Sequence, residues 1–382
     1  MYTAAPAPRL RPDAPAGEVE AALARVKPSV RALGAYTLRP HAHRVKLDQN
    51  ESPYDVPGPL KARIAERLAD RPWNRYPPFV AAGFIAAVAE ATGWPEEGVL
   101  VANGSNELIQ ALLAVTVGPG VGVVIPEPTF TLYRLMTEVN AGTVVSVPLT
   151  AGLRFDVDAI VRAARDSGAA AVVLCSPNNP TGCSLSRAEV EAVHDATEGL
   201  VLLDQAYVEF GGYDAIPLLA ERPRLVVLRT FSKALAMAGL RAGYLLAHPA
   251  LAAEVHKAKL PYNLNFFTEV AAAEVLRGRA LLAPQVTAIR AERDRLLREL
   301  RTVPGVRVFD SDANFVLFRV EHPRLTHHEV FARLLEEHGI LVRDVSKYPM
   351  LERCLRVNAG TRTETGEFLA ALRTILGEGG EG

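Results

Sequence analysis

Two charged residues stand where apolar runs of this chain stop. In "VVLRTFSKALAMAGLRAGYLL", residues 226–246, a β-branched and apolar run breaks at Thr230, Ser232 and Lys233 before apolar residues resume. Lysine is among the residues least often fully buried. A strand-end lysine that snorkels its ammonium to water accounts for such a position. The alternative is an amine in a partly desolvated pocket, its pKa lowered until it is nucleophilic enough to form a Schiff base. Asp204 closes "LVLLDQAY" in the same way, after four apolar residues. It is either a turn former or a carboxylate at the base of a site, and Tyr207, three residues on, either packs its ring or offers its hydroxyl there.

Other residues extend the chemistry. A carboxylate placed like Asp204 could hold a proton on a pyridine nitrogen, as pyridoxal 5'-phosphate (PLP) requires to act as an electron sink. The run "NGSNELIQ" sets Gly104, Ser105 and Asn106 where a strand hands over to a helix. A helix N-terminus with free N–H groups is a phosphate site, and simple N-capping by Ser105 or Asn106 is the plainer account. Phe130 in "PEPTFTLY" offers a face for stacking on a planar ring or fills the core. Asn179 in "SPNNPTG" sits in turn chemistry. Arg241 in "GLRAG" reaches either a phosphate or a surface carboxylate.

These residues need elements to position them. From about Val99, apolar strand-like runs ("GVLVA", "VGVVIPE", "TVVSVPL", "AAVVLCSP", "LVLLDQA", "LVVLRTF", "AGYLLAH") alternate with stretches of helical apolar spacing. That alternation predicts an α/β fold with a mostly parallel seven-stranded sheet covered by helices on both faces. Ligands of such sheets sit outside the carboxyl ends of the strands, and the polar clusters fall there. A long helix over about 281–301 follows, then shorter strands and helices suggesting a smaller α+β domain. The expected division is an arm at 1–28 with one short helix, a small domain from 29–50 and 281–382, and a large domain at 51–280.

Composition removes several classes. The chain has 382 residues, 49% hydrophobic, with 42 Lys+Arg against 43 Asp+Glu. No basic block suggests nucleic acid. Three cysteines, Cys175, Cys183 and Cys354, lack metal-like spacing, so no metal is expected and a reducing compartment is. No apolar run is long enough for a membrane span, and the N-terminus lacks a secretory pattern. A cytoplasmic location is expected.

The ordered set N-P-T-G (179–182), D-x-A-Y (204–207), S-K-A (232–234) and G-L-R-x-G (239–243) resembles the PLP-dependent aminotransferases of fold type I, over about Tyr36 to Gly377. Within them, "LDQNESPYDVP", "NRYPP", "LVRDVSKYP" and "CLRVNAGT" are most similar to the histidinol-phosphate aminotransferase family. The resemblance implies that Lys233 carries PLP as a Schiff base, Asp204 pairs with the ring nitrogen, and Asn179 and Tyr207 bond its 3-oxygen. It implies that Phe130 stacks on the ring, while Gly104, Ser105, Asn106, Thr230, Ser232 and Arg241 hold the phosphate. Tyr76 then reaches that phosphate from the other subunit of a homodimer. Tyr36, Asn50, Arg343 and Arg356 are the implied substrate residues, with histidinol phosphate and 2-oxoglutarate or glutamate as substrates in histidine biosynthesis. Two departures stand out: Gln205 replaces the usual glutamate of D-E-A-Y, and Phe130 stands where many members have tyrosine.

Rival readings are an aromatic or other amino-acid aminotransferase and an amino-acid-phosphate decarboxylase on the same fold. A dinucleotide-dependent dehydrogenase fits poorly, because "GPGVGVVIP" lacks G-x-G-x-x-G spacing and precedes a strand. A non-catalytic PLP-binding protein leaves the full set of polar strand ends unexplained.

Overall fold

Apolar runs that alternate across two faces build the main sheet. The computed structural model describes residues 15–35 and 40–378. Two compact units divide the chain, residues 1–38 and 39–382. In the first, the described residues form helices Ala16–Leu23 and Pro28–Arg31, neither with a buried residue.

The strands of the second unit, in chain order, are β1 (Val45–Lys46), β2 (Val99–Ala102), β3 (Gly122–Glu127), β4 (Thr143–Pro148), β5 (Ala171–Cys175), β6 (Leu200–Asp204) and β7 (Leu225–Thr230). They continue with β8 (Gly243–Leu246), β9 (Val306–Val308), β10 (Phe315–Val320), β11 (Ile340–Leu341), β12 (Arg343–Asp344) and β13 (Cys354–Asn358). Seven of them form one sheet in the order β2-β8-β7-β6-β5-β3-β4. The pairs β7-β6, β6-β5, β5-β3 and β3-β4 are parallel, and β8 alone runs against its neighbours. All seven strands fall on the apolar runs named above.

The period of two decides which side chain meets which helix layer. Val99, Val101, Val172, Leu174, Leu225 and Val227 enter one core, with helices Ala82–Thr92 and Phe266–Arg277. Leu100, Ala102, Ala171, Val173, Val226 and Leu228 enter the opposite core, with helix Ser105–Thr116. A strand buried on both faces has no polar side to show, so its sequence is apolar throughout.

A second sheet, wholly antiparallel, has the order β12-β13-β10-β9. Helices Ala283–Leu300, His327–Glu336 and Arg362–Glu378 accompany it and share its core with Leu47, Phe315, Val357 and Phe368. The segment after residue 40 joins this part through the parallel pairing Val45↔Ile340 and Lys46↔Leu341. No helix among the described residues is long and apolar enough to cross a membrane.

Candidate active site

Three neighbouring parallel strands deliver the chemistry to one edge. Asp204 is the last residue of β6 and is 3% exposed. Its Oδ2 accepts from the Tyr133 hydroxyl at 2.7 Å, and its Oδ1 accepts from the Ala206 N–H at 3.0 Å. Burial pushes its pKa up to about 6 against both hydrogen bonds, and no cation contributes. A carboxylate so buried and without a cationic partner is one that a cation brought from outside would stabilise.

Lys233 follows β7 by three residues and is half-buried. Its Nζ donates to the Gln49 carbonyl at 2.8 Å. Burial lowers its pKa to about 7, helped by the charges of Arg356 and Arg241 and opposed by Glu51. At neutral pH a large share of this amine is therefore uncharged. The Tyr207 ring centroid lies 5.9 Å from Nζ. The Tyr207 hydroxyl accepts from Asn50 Nδ2 at 3.0 Å, and burial pushes the phenol well above its ordinary value, so it stays protonated.

The third strand, β5, leads into "SPNNPTG". Asn178, fully buried, holds that loop: Nδ2 donates to Pro128 O at 2.9 Å and Thr181 Oγ1 at 2.8 Å, and Oδ1 accepts from Thr129 Oγ1 at 2.7 Å. Its neighbour Asn179 is thereby aimed at the cleft, where Oδ1 accepts from Arg356 Nη1.

Beside these residues lies a cradle of backbone N–H groups and a guanidinium. Helix Ser105–Thr116 begins at Gly104, and no side chain caps it, so capping by Ser105 or Asn106 does not occur and its first N–H groups remain available. Gly104 has φ +82°, and a Cβ there would meet Arg241 Nη2 at 2.7 Å. A Cβ on Gly243 would meet the Ser105 nitrogen at 2.5 Å. Both glycines let charge and backbone crowd one spot. Arg241 Nη1 donates to Ser232 Oγ at 3.2 Å, and Thr230 Oγ1 donates to the same oxygen at 3.1 Å.

The second sheet contributes cations. In the β12–β13 register Arg343 stands directly opposite Arg356, an arrangement that places like charges face to face and is destabilising by itself. Arg356 is 7% exposed; besides Asn179 it donates through Nη2 to Asp48 O at 2.6 Å, and its Nε is buried without a partner. Its guanidinium carbon lies 5.1 Å from the Phe315 ring centroid. Burial lowers its pKa. Among the described residues neither arginine is in a salt bridge with a carboxylate.

The sequence profile described as aminotransferase class I and II matches residues 42–372. The chain is 41% identical to a histidinol-phosphate aminotransferase of Chlorobium phaeobacteroides, over 92% of this chain and 97% of that protein. It is 43% identical to one of Chlorobaculum tepidum, over 87% and 94% of the two chains. The chain belongs to the class I and II aminotransferases. The crystal structure of histidinol-phosphate aminotransferase from Sinorhizobium meliloti in complex with pyridoxal-5'-phosphate has the same fold. Its TM-score is 0.83 at 24% identity, with 93% of this chain and 98% of that one covered.

The residues of this aminotransferase fit PLP. They supply a half-neutral amine for an aldehyde, a buried carboxylate without a cation for a ring nitrogen, and an uncapped helix N-terminus beside Arg241 for a phosphate. Phe130 borders the site half-buried, edge-on to Tyr133 at 5.7 Å. Asn106 is exposed at the helix start. Asn50 is 1% exposed at φ +54°; it touches Tyr207 and keeps a buried Oδ1 without a partner. Tyr76 is 82% exposed and stacks on Tyr262 at 4.8 Å, away from these contacts. Tyr36 lies outside the described residues.

Sequence reasoning missed Tyr133 and Asn178. Tyr133, on helix Leu132–Val139, follows Phe130 by three residues and supplies a hydroxyl that Phe130 lacks. The Gln205 departure also has a structural account. Its Nε2 donates to Tyr213 O at 2.6 Å while its Oε1 accepts from Ala215 N and Arg229 Nη2. An ionised glutamate could not donate to that carbonyl.

Proposed function

We propose that this chain is a homodimeric cytoplasmic transaminase. It moves an amino group between L-histidinol phosphate and 2-oxoglutarate, giving imidazole-acetol phosphate and L-glutamate, in histidine biosynthesis. The observation that carries the reading is the arginine pair: Arg343 and Arg356 face each other across two strands with no salt-bridged carboxylate among the described residues, on the side of the cleft where Arg356 touches Asn179. Both substrates are anionic. Paired guanidinium forks suit a dianionic phosphate and a carboxylate alike.

PLP, when bound, supplies an electron sink for the carbanion left at the substrate Cα. The chain's own residues do the rest. Lys233 is the amine that would hold the aldehyde, and once free its Nζ would move the Cα proton, a role that suits an amine whose pKa burial lowers from that of an ordinary lysine. Asp204 would keep a proton at the ring nitrogen, and Tyr133 and the Ala206 N–H orient its carboxylate. Asn179 and Tyr207 would bond the 3-oxygen, and Phe130 would stack on the ring. The N–H groups of Ser105 and Asn106, opened by the turn at Gly104, would hold the phosphate with Thr230, Ser232 and Arg241. Asn50 positions Tyr207.

The second copy is supported by an exposed aromatic surface. Trp73, Tyr76, Phe79 and Leu260 are 76%, 82%, 60% and 73% exposed, with Tyr262 and Phe267 beside them. Apolar surface of that kind marks an interface, and Tyr76 on it would complete the partner's site.

A substrate panel tests the reading. With 2-oxoglutarate as acceptor, kcat/KM for histidinol phosphate should exceed that for phenylalanine, tyrosine and aspartate. A higher value for phenylalanine would transfer the assignment to the aromatic aminotransferases, and release of CO2 from an amino-acid phosphate would transfer it to the decarboxylases.

A further inference from the structure

A second cluster lies outside the aminotransferase chemistry. His327 and His328 open helix His327–Glu336, and Asp344 ends β12. One donor atom from each of the three lies within 4.8 Å of the others. His327 is 9% exposed, yet neither of its ring nitrogens has a hydrogen-bond partner. Buried imidazole nitrogens without partners are rare, because their lost hydration is not replaced. The His328 ring lies 3.9 Å from that of His327. Asp344 Oδ1 accepts from the Ser346 N–H at 2.9 Å, which fixes the carboxylate and leaves Oδ2 for the cluster, 3.4 Å from His328 Nδ1.

We propose that His327, His328 and Asp344 bind a first-row transition-metal dication of the zinc class, with water completing its shell. Two imidazoles and one carboxylate suit such an ion, whereas magnesium and calcium take oxygen donors throughout. Two features oppose any cation here: the positive end of the helix and the Arg353 guanidinium, whose charge reaches His327. They select against ions held by charge alone and leave those bound strongly by imidazole. Zinc bonds of about 2.0–2.2 Å require the donor atoms to draw closer than they stand, a movement open to the exposed His328 side chain. The cysteines play no part, so their spacing carried no signal of this site.

Equilibrium dialysis of the holoenzyme against Zn2+, after chelator treatment, tests the proposal. Wild type should load one Zn2+ per chain, and excess Mg2+ should not displace it. His328→Asn and Asp344→Asn should each weaken loading by about tenfold or more, since outer-shell losses alone reach that size. His256→Asn, a change at another histidine, should leave loading unchanged. His327→Gln should abolish the site, and because that residue is buried the exposed His328 variant decides the matter if His327→Gln does not fold. Equal Zn2+ affinity in wild type and His328→Asn overturns the site.

Discussion

The two sheets bring opposite kinds of charge to one cleft, and each is held differently. The parallel sheet ends in Asp204, a buried carboxylate whose two oxygens are each held by a hydrogen bond and whose only deficiency is a cation. The antiparallel sheet presents Arg343 and Arg356 opposite each other, with an unpartnered Nε on Arg356 and, among the described residues, no carboxylate in a salt bridge with either. The first region is preorganised and incomplete by one proton-bearing ring. The second is frustrated and becomes favourable only when an anion arrives. On the proposed reading a fixed cofactor completes the first, and substrates that come and go satisfy the second.

Mutations separate the two regions. The largest effect belongs to Lys233→Ala, which removes the nucleophile and the proton carrier together and should lower transamination by about 10^4-fold or more. PLP should still bind to it without a covalent link, and borohydride reduction with peptide mapping should label Lys233 in wild type. A different labelled lysine would contradict the assignment. Asp204→Ala should slow the proton shift by on the order of 10^2–10^3-fold, as loss of a preorganised charge contact does, while Schiff-base formation survives. Near-wild-type turnover would make Asp204 structural only.

Arg356→Ala belongs to the other region and should damage both half-reactions, by about 2–5 kcal/mol in kcat/KM for a buried charged contact. Damage to one half-reaction alone would mean that the substrates do not share this arginine. Tyr133→Phe should cost least, about tenfold in kcat, with KM values unchanged. The Tyr133 hydroxyl lowers the Asp204 pKa, so its loss raises that pKa and moves the acid limb of kcat to higher pH. An unmoved limb would remove Tyr133 from the positioning of Asp204.

The same Lys233 shift has a stability consequence in the apoprotein. A lysine whose folded pKa of about 7 lies below its ordinary 10.5 releases a proton on folding between those values. The unfolded chain then binds more protons, so stability rises with pH across that window. Lys233→Met should therefore stabilise the apoprotein at pH 7 by on the order of a few kcal/mol, the gain fading toward pH 10. Urea unfolding at both pH values checks this, and an equal gain at both would contradict the shift.

The parallel sheet was legible because a strand buried on both faces must be apolar throughout, and its polar ends then stand out. Asp204, Lys233 and the glycines near Arg241 were visible on those grounds. Helix Phe266–Arg277 was not, since it buries Glu269 and Glu274 along with Ala271 and Val275 and shows no clean polar face. Tyr133 was illegible for a different reason: a tyrosine on an amphipathic helix is ordinary core until its hydroxyl is seen on Asp204. That the strands of Arg343 and Arg356 are adjacent was readable from "ILVRD" and "CLRVN", but the register that sets the two arginines directly opposite depends on the loop between them, and no spacing in the sequence specifies it. His327 and Asp344 meet only because that same strand lies beside a helix start.

The central claim, that the arginine pair selects a phosphate substrate, is tested most directly by single-turnover half-reactions of Arg343→Ala. The account predicts a loss for histidinol phosphate at least about tenfold greater than the loss for glutamate, because the dianion has more charge to satisfy. Equal, small losses for the two substrates would contradict it, removing Arg343 from the phosphate site and reopening the aromatic-aminotransferase reading.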